Sequence, residues 1–351
     1  MYMNSVNREK SLPDERYDEK LFKQAYKAGL EAKELEEKNN HRRKLLHSVL
    51  VLLSILCLVS IFCVFIIFKK EKPEYIESGS INKVNALYNI QDNFDLSPTN
   101  TSISVDNISA ESAISLNPKN GTILFQKNID EKRPIASLTK LLSIMVALDS
   151  MNPEDTIIVD LSHIPEDLDW KLELKEGDRI KIDYLIKSML LSSFNDSAYI
   201  LANAYPQGYD SFIKEMNKKA KSLRMNDSKF DNPAGLDSEN NYSTARDVGK
   251  LVSAVLNYEY ILNIVNKGSA QISWDSNNEL ISKTVYSTNE LYGENKYIKG
   301  LKTGITDMAK QCFVGYFVYN NKNELITIVI GSDDRFKDTE KLEYLSRKIL
   351  E

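Results

Sequence analysis

"SAISLNPKNGTILFQKN" occupies residues 112–128. Two short apolar runs flank Asn120 and Gly121, and Asn-Gly supplies the positive φ angles that a tight turn between two strands needs. The stretch therefore predicts a β-hairpin. A second one is predicted near the C-terminus, where "CFVGYFVY" (312–319), the turn "NNKN" (320–323) and "ELITIVIGS" (324–332) follow one another. Between the two hairpins, helical patterns run over residues 138–149, 182–204, 209–223 and 245–265. Strands at both ends with helices between them predict an α+β domain over residues 107–351, with an antiparallel sheet that pairs the two hairpins and is flanked by helices.

Upstream of this domain the chain changes character. Residues 45–68, "LLHSVLVLLSILCLVSIFCVFIIF", contain no Asp, Glu, Lys or Arg. At about 1.5 Å per residue they are long enough for a ~30 Å hydrocarbon core, so a single transmembrane helix is expected. The polar residues that precede it argue for an uncleaved anchor rather than a signal peptide. Lys27, Lys33, Lys38, Arg42, Arg43 and Lys44 lie before the span, against Lys69, Lys70, Lys72 and Lys83 after it. That bias places residues 1–44 on the cytoplasmic side as a Glu-, Lys- and Ala-rich tail, and the C-terminal domain outside. Residues 69–106, rich in Ser, Asn and Asp and without periodicity, read as a linker.

Composition excludes several function classes. With 45 basic and 50 acidic residues interspersed, the net charge of −5 leaves no basic footprint for nucleic acid. Cys57 and Cys63 lie in the apolar span and Cys312 alone lies beyond it, so the domain has no internal disulfide. His41 and His47 border the span and only His163 belongs to the domain. A zinc site built from two or three histidines is excluded, no cofactor is implied, and a Ser/His/Asp triad would have to use His163.

The chemistry points elsewhere, to "RPIASLTKLL" at residues 133–142. Pro134 and Ser137 mark a helix start, and residues three apart share a helical face, so the Lys140 amine can approach the Ser137 hydroxyl. A lysine whose pKa is lowered by burial and nearby cations can take the proton that makes a serine alcohol nucleophilic. Backbone N–H groups at the helix start suit an oxyanion. Taken alone, Ser-x-x-Lys is weak, since chance and helix capping produce most occurrences. Here Ser193-Phe194-Asn195 and Lys302-Thr303-Gly304 follow it in order.

Those three elements together are the signature of penicillin-binding proteins and class A β-lactamases. The surrounding blocks, "LKEGDRIKIDYLIKSMLLSSFNDSAYILA", "FDNPAGLDSENNYSTARDV" and "IKGLKTGITDMAKQCFVGYF", resemble the low-molecular-mass D-alanyl-D-alanine carboxypeptidases, over roughly residues 112–345. The resemblance implies a β-lactamase/transpeptidase-like fold and a membrane-anchored hydrolase. Its partners would be peptidoglycan stem peptides ending in D-Ala-D-Ala, and β-lactam antibiotics. It implies that Ser137 is acylated, that Lys140 activates it, and that Ser193 relays a proton to the leaving amine. Asn195 would hold the substrate amide, and Lys302 would supply positive charge between Ser193 and the substrate carboxylate. Thr303 would bond that carboxylate, with Arg335 nearby. The backbone N–H groups of Ser137 and Ile305, the latter following Gly304, would form the oxyanion hole. Two lysines near one serine are expected to depress each other's pKa by repulsion.

The pattern departs from the family at two places. His is common in the block that here reads Asn232-Pro233-Ala234-Gly235-Leu236, and Gly is common where Lys310 stands. "EYILN" at residues 259–263 matches the Glu-x-x-Leu-Asn element with which class A β-lactamases hydrolyse their acyl-enzyme, but its apolar residues continue a core helix. Competing readings are a D,D-endopeptidase or β-lactamase on the same fold, and an inactive peptidoglycan-binding protein. The complete set of Ser137, Lys140, Ser193, Asn195 and Lys302 argues against the last.

Overall fold

A computed structural model of the protein describes residues 108–320 and 323–350. The expected tail, membrane span and linker, residues 1–106, lie outside the described residues, as do Asn107 and Glu351 from the expected domain.

The chain opens with β1 (Ser112–Leu116) and β2 (Ile123–Lys127), and ends with β7 (Ile298–Thr306), β8 (Lys310–Tyr319), β9 (Asn323–Ser332) and a helix, α7 (Arg335–Leu350). These five strands form one antiparallel sheet in the order β2-β1-β9-β8-β7. The expected pairing of the terminal hairpins occurs directly, with Ser112 opposite Ile330 and Leu116 opposite Ile326. Alternate side chains enter two different cores. Ile114, Ile326 and Ile328 face the larger one, and Ala113, Leu325 and Val329 face a smaller one that includes Leu342 of α7. Both faces of the sheet are covered, which is why β1 and most of β9 are buried without alternation.

The helices between are α1 (Thr139–Ser150), α2 (Ile182–Leu190), α3 (Asn195–Asn203), α4 (Tyr209–Ser222), α5 (Ala245–Val255) and α6 (Glu259–Val265). Helix α1 is buried around its whole circumference from Thr139 to Ala147, as befits a central helix.

Three expectations need correction. The helix expected over 182–204 is two helices, α2 and α3, broken at Leu191–Phe194, where Ser193 takes a left-handed φ of 62°. The helix expected over 245–265 is likewise broken between α5 and α6. Both breaks preserve the apolar pattern, so periodicity could not show them. The first turn is also wider than a two-residue hairpin: Asn117 N donates to Thr122 O, and Gly121 supplies the left-handed residue, with φ 72°.

A second sheet was not foreseen. It joins β3 (Thr156–Ile158), β4 (Arg179–Lys181), β5 (Ser269–Ser276) and β6 (Glu279–Tyr286) in that order, all antiparallel. Its first two strands have three residues each, too few for a pattern to register. The β5–β6 hairpin did leave a signal, because Asn277 and Asn278 both have positive φ, 54° and 65°, as a tight primed turn requires.

Candidate active site

Ser137 lies in a 3-10 turn, Ala136–Leu138, that leads into α1. Three neighbours press on this turn. Arg133 exchanges two backbone hydrogen bonds with Ser243, at 2.8 and 2.9 Å. Gly235, with φ 87°, packs so closely that a Cβ there would stand 1.9 Å from Ala136 O. On the sheet side a Cβ on Gly304 would stand 3.1 Å from Ser137 N, so β7 runs directly against the serine. The turn is held in an unfavourable conformation: Ala136 has φ 48°, a region that costs a non-glycine residue roughly 1–2 kcal/mol. Such strain persists where surrounding structure over-determines it.

Lys140, the second residue of α1, is fully buried. Its Nζ lies 2.7 Å from Ser137 Oγ, 2.7 Å from Asn195 Oδ1 and 2.8 Å from Ala234 O. A neutral amine has two N–H bonds and one lone pair. The amide and carbonyl oxygens can only accept, so they take the two N–H bonds and leave the lone pair facing the serine hydroxyl. Burial, first, and then the charge of Lys302 push the Lys140 pKa well below that of an ordinary lysine, while Asp196 pulls it partly back. The "NPAGL" block thus shapes the site by its backbone: Ala234 O receives Lys140, and Pro233 O receives Ser143 Oγ at 2.7 Å.

Ser193 and Asn195 sit at the break between α2 and α3. Their turn is stitched to the loop before β4: Asn195 N donates to Trp170 O and Asn195 Nδ2 to Asp169 O, both at 2.9 Å. The next residue, Asp196, accepts from Leu172 N and Glu173 N, also at 2.9 Å. Ser193 Oγ makes no hydrogen bond among the described residues and faces the same cleft as Ser137.

From β7, Lys302 is buried and donates to Thr303 O at 2.9 Å. Burial, then the charge of Arg335, bring its pKa down to about 7. The expected mutual repulsion of the lysines is therefore one-sided in its causes: burial dominates for both, and Arg335 rather than Lys140 is the cation felt by Lys302. Thr303 Oγ1 meets Thr288 Oγ1 at 2.5 Å, and Arg335 Nη1 donates to Gly304 O at 3.0 Å. Ile305 is exposed.

Ser137, Ser193, Asn195, Thr303, Gly304, Ile305 and Arg335 line one cleft of about 690 Å³, with Lys140 and Lys302 buried behind its walls. This volume falls within the range of small-ligand sites. Asp169, Trp170, Thr288 and Glu290 also line it and were not foreseen. None belongs to a motif, and only the folding of β6 and the loop before β4 brings them in. His163 pairs with Asn203 Oδ1 and stacks on Tyr209, away from the serine. Glu259 opens α6 outside the cleft lining, and Ile261, Ile264 and Val265 of that helix are core residues. Lys310, where the family commonly has Gly, has φ 53° and is tied to Glu111 by a 2.8 Å ion pair. Among the described residues, no cluster of three or more His, Cys, Asp or Glu could hold a metal ion.

Comparison with known proteins points to one family. The sequence profile of Peptidase S11, D-alanyl-D-alanine carboxypeptidase, matches residues 99–334. A D-alanyl-D-alanine endopeptidase of Escherichia coli is 36% identical over 248 residues, covering 69% of this chain and 78% of its own. D-alanyl-D-alanine carboxypeptidase DacF of Bacillus subtilis is 26% identical, covering 64% of this chain and 57% of its own. The crystal structure of the Streptomyces K15 DD-transpeptidase superposes with a TM-score of 0.66 at 25% identity, covering 69% of this chain and 98% of that one. With the motifs, the mixed helix and antiparallel-sheet fold and the profile in agreement, the chain belongs to the D-alanyl-D-alanine carboxypeptidase family of serine hydrolases, Peptidase S11, among the low-molecular-mass penicillin-binding proteins.

Proposed function

We propose that the protein is a membrane-anchored serine carboxypeptidase that removes the terminal D-alanine from peptidoglycan stem peptides outside a bacterial cytoplasmic membrane. The observation that carries the chemistry is the buried Lys140 amine 2.7 Å from Ser137 Oγ, with its other two contacts made to acceptors. Neutral Lys140 takes the Ser137 proton as Oγ attacks the carbonyl between the two D-alanines. The N–H groups of Ser137 and Ile305 hold the oxyanion. The C–N bond then breaks, Ser193 relays a proton to the departing amine, and D-alanine leaves. Asn195 holds the donor amide, while Thr303 and Arg335 hold the terminal carboxylate, with Lys302 adding positive charge beside it. Water hydrolyses the ester and returns the proton to Ser137.

Anchoring is assigned to residues 45–68, supported by their length and lack of charge, and the flanking Lys and Arg bias puts the catalytic domain on the side where the substrate lies. Protease added to intact spheroplasts should remove the domain and spare the N-terminal tail. The reverse pattern would refute this orientation.

Incubation with a fluorescent penicillin followed by peptide mapping tests the nucleophile. The adduct is expected on Ser137 and should be lost in Ser137→Ala, and the protein should release D-alanine from a peptide ending in D-Ala-D-Ala. An adduct elsewhere would overturn the assignment. A D,D-endopeptidase is the second reading, favoured by the name of the Escherichia coli relative. The acyl chemistry is the same, but the leaving amine belongs to a second peptide. Cleavage of a cross-linked peptide dimer faster than release of D-alanine would select it.

A further inference from the structure

Asp338 is a carboxylate that the chemistry above does not use, and it is 2% exposed. It lies in the first turn of α7, yet its side-chain bonds run to other parts of the chain. Oδ1 accepts from Ser109 N at 3.0 Å. Oδ2 accepts from Ser109 Oγ at 2.6 Å, Ala110 N at 2.8 Å and Ser332 Oγ at 2.7 Å. Burial pushes its pKa up, but the bonds from Ser109, Ser332 and Ala110 outweigh burial and hold the carboxyl below the ordinary aspartate value. The group therefore stays ionised, and its hydrogen bonds are the strong, charge-assisted kind.

The same hydroxyls build the connection that leads to Arg335. Ser109 Oγ accepts from Asp333 N at 3.1 Å, and Ser332 Oγ from Asp334 N at 3.0 Å. Gln311 closes the connection from β8, its Nε2 donating to Asp333 O at 2.9 Å and its Oε1 accepting from Arg335 N at 3.3 Å. Each residue from Ser332 to Arg335 is thus tied, directly or through one hydroxyl, to Asp338 or Gln311.

Arg335 itself rides on the first turn of α7. Its guanidinium lies 4.9 Å from the centre of the Phe336 ring and its Nη1 donates to Gly304 O, while its Nε has no hydrogen-bond partner among the described residues. A guanidinium recognises a carboxylate through paired, directional bonds, so recognition depends on where its plane is held. A displacement of the helix start carries that plane with it.

We propose that Asp338, acting with Ser109, is a positioning residue that sets Arg335 for the terminal carboxylate of the substrate. The inference rests on the reading above, in which Arg335 holds that carboxylate. It brings Ser109, 229 positions away from Asp338 in sequence, into substrate recognition.

The test uses the full-length protein in detergent and compares ligands with and without their carboxylate. One pair is Nα,Nε-diacetyl-L-Lys-D-Ala-D-Ala and its C-terminal amide, read as a ratio of kcat/KM; the other is benzylpenicillin and its methyl ester, read as a ratio of acylation rates. Arg335→Gln sets the floor of each ratio. Ser109→Ala should lower the ratio about threefold and Asp338→Asn about tenfold, both short of the roughly hundredfold that a 1 Å misplacement costs. In Asp338→Asn, either orientation of the amide sets its NH2 against a backbone N–H, that of Ser109 or that of Ala110. Ser109→Thr keeps the hydroxyl and should keep the ratio. On an Arg335→Gln background neither Ser109→Ala nor Asp338→Asn should lower it further. Phe212→Leu, in the larger core and apart from Leu342 of α7, loosens the fold and should leave the ratio alone. Should Asp338→Asn fail to fold, Ser109→Ala, at an exposed position, decides. A ratio unmoved by Ser109→Ala, or moved as much by Phe212→Leu, would overturn the inference and leave the role of Arg335 intact. A ratio unmoved by Arg335→Gln would sink the carboxylate assignment and the inference with it. Failure to release D-alanine would count against the carboxypeptidase reading alone, since the penicillin pair still decides the ratio.

Discussion

Replacing Lys302 with methionine, which keeps an unbranched chain and removes the charge, should stabilise the protein in mild acid while inactivating it. Lys302 is 1% exposed, and burial with the charge of Arg335 lowers its pKa from 10.5 to about 7. Below that pH the folded protein must keep an ammonium out of water, whereas the unfolded chain carries it without penalty. The cost is full below about pH 7, shrinks as the pH rises, and vanishes above about 10.5, where both states hold a neutral amine. At about 1.4 kcal/mol per pH unit, the displacement corresponds to roughly 5 kcal/mol. Losing the hydrogen bond to Thr303 O returns about 1 kcal/mol, and an imperfect methionine fit up to about another 1 kcal/mol. A net gain of about 2–4 kcal/mol is left at pH 6, or roughly 5–15 °C in Tm for a domain of this size. Thermal melts of both proteins at pH 6 and pH 10 measure it. A gain equal at the two pH values, or none at pH 6, would refute the reasoning. Penicillin acylation should slow by about a hundredfold or more, the scale of removing one charge-stabilising group.

Gly235→Ala should destabilise the domain by about 3 kcal/mol or more, since the new Cβ meets Ala136 O at 1.9 Å in a left-handed backbone; calorimetry and Ser137 labelling should both fall. Asp196→Asn removes the charge that raises the Lys140 pKa, so the acid limb of the kcat/KM profile, which needs neutral Lys140, should move to lower pH. The same change loosens the bonds to Leu172 N and Glu173 N and should cost about 1–3 kcal/mol in denaturant melts. Glu259→Gln should leave the lifetime of the penicillin adduct unchanged, because α6 belongs to the core; faster decay in the native protein that depends on Glu259 would contradict this.

The sequence showed four strands of the main sheet through its two terminal hairpins, but not β7, where Lys299, Lys302 and Thr303 break the apolar pattern of a buried strand, and it showed the helix at 138–149 through its apolar run. The reacting groups were visible because Ser137 and Lys140 are separated by a helical spacing that physics alone makes a contact. What stayed hidden are positions where the backbone departs from its element. Ser193 occupies a left-handed break inside an uninterrupted apolar pattern, and Trp170 reaches the cleft from an irregular loop. The role of Ala234 was equally invisible, since the group that meets Lys140 is a carbonyl that every residue possesses.

The insertion of β9 beside β1 bears on how the protein is made. Ser112 finds its partner at Ile330, more than two hundred residues later, and every residue of β1 is buried in the finished sheet. During synthesis β1 emerges long before the strand that covers it, and the serine turn long before β7, which runs against it. Contacts so distant in sequence form slowly and leave sticky intermediates. A ribosome stalled before β9 would therefore hold a chain with every motif through Lys302-Thr303-Gly304 already made and no cleft to put them in. Loss of the last strand should erase penicillin labelling as completely as loss of Ser137.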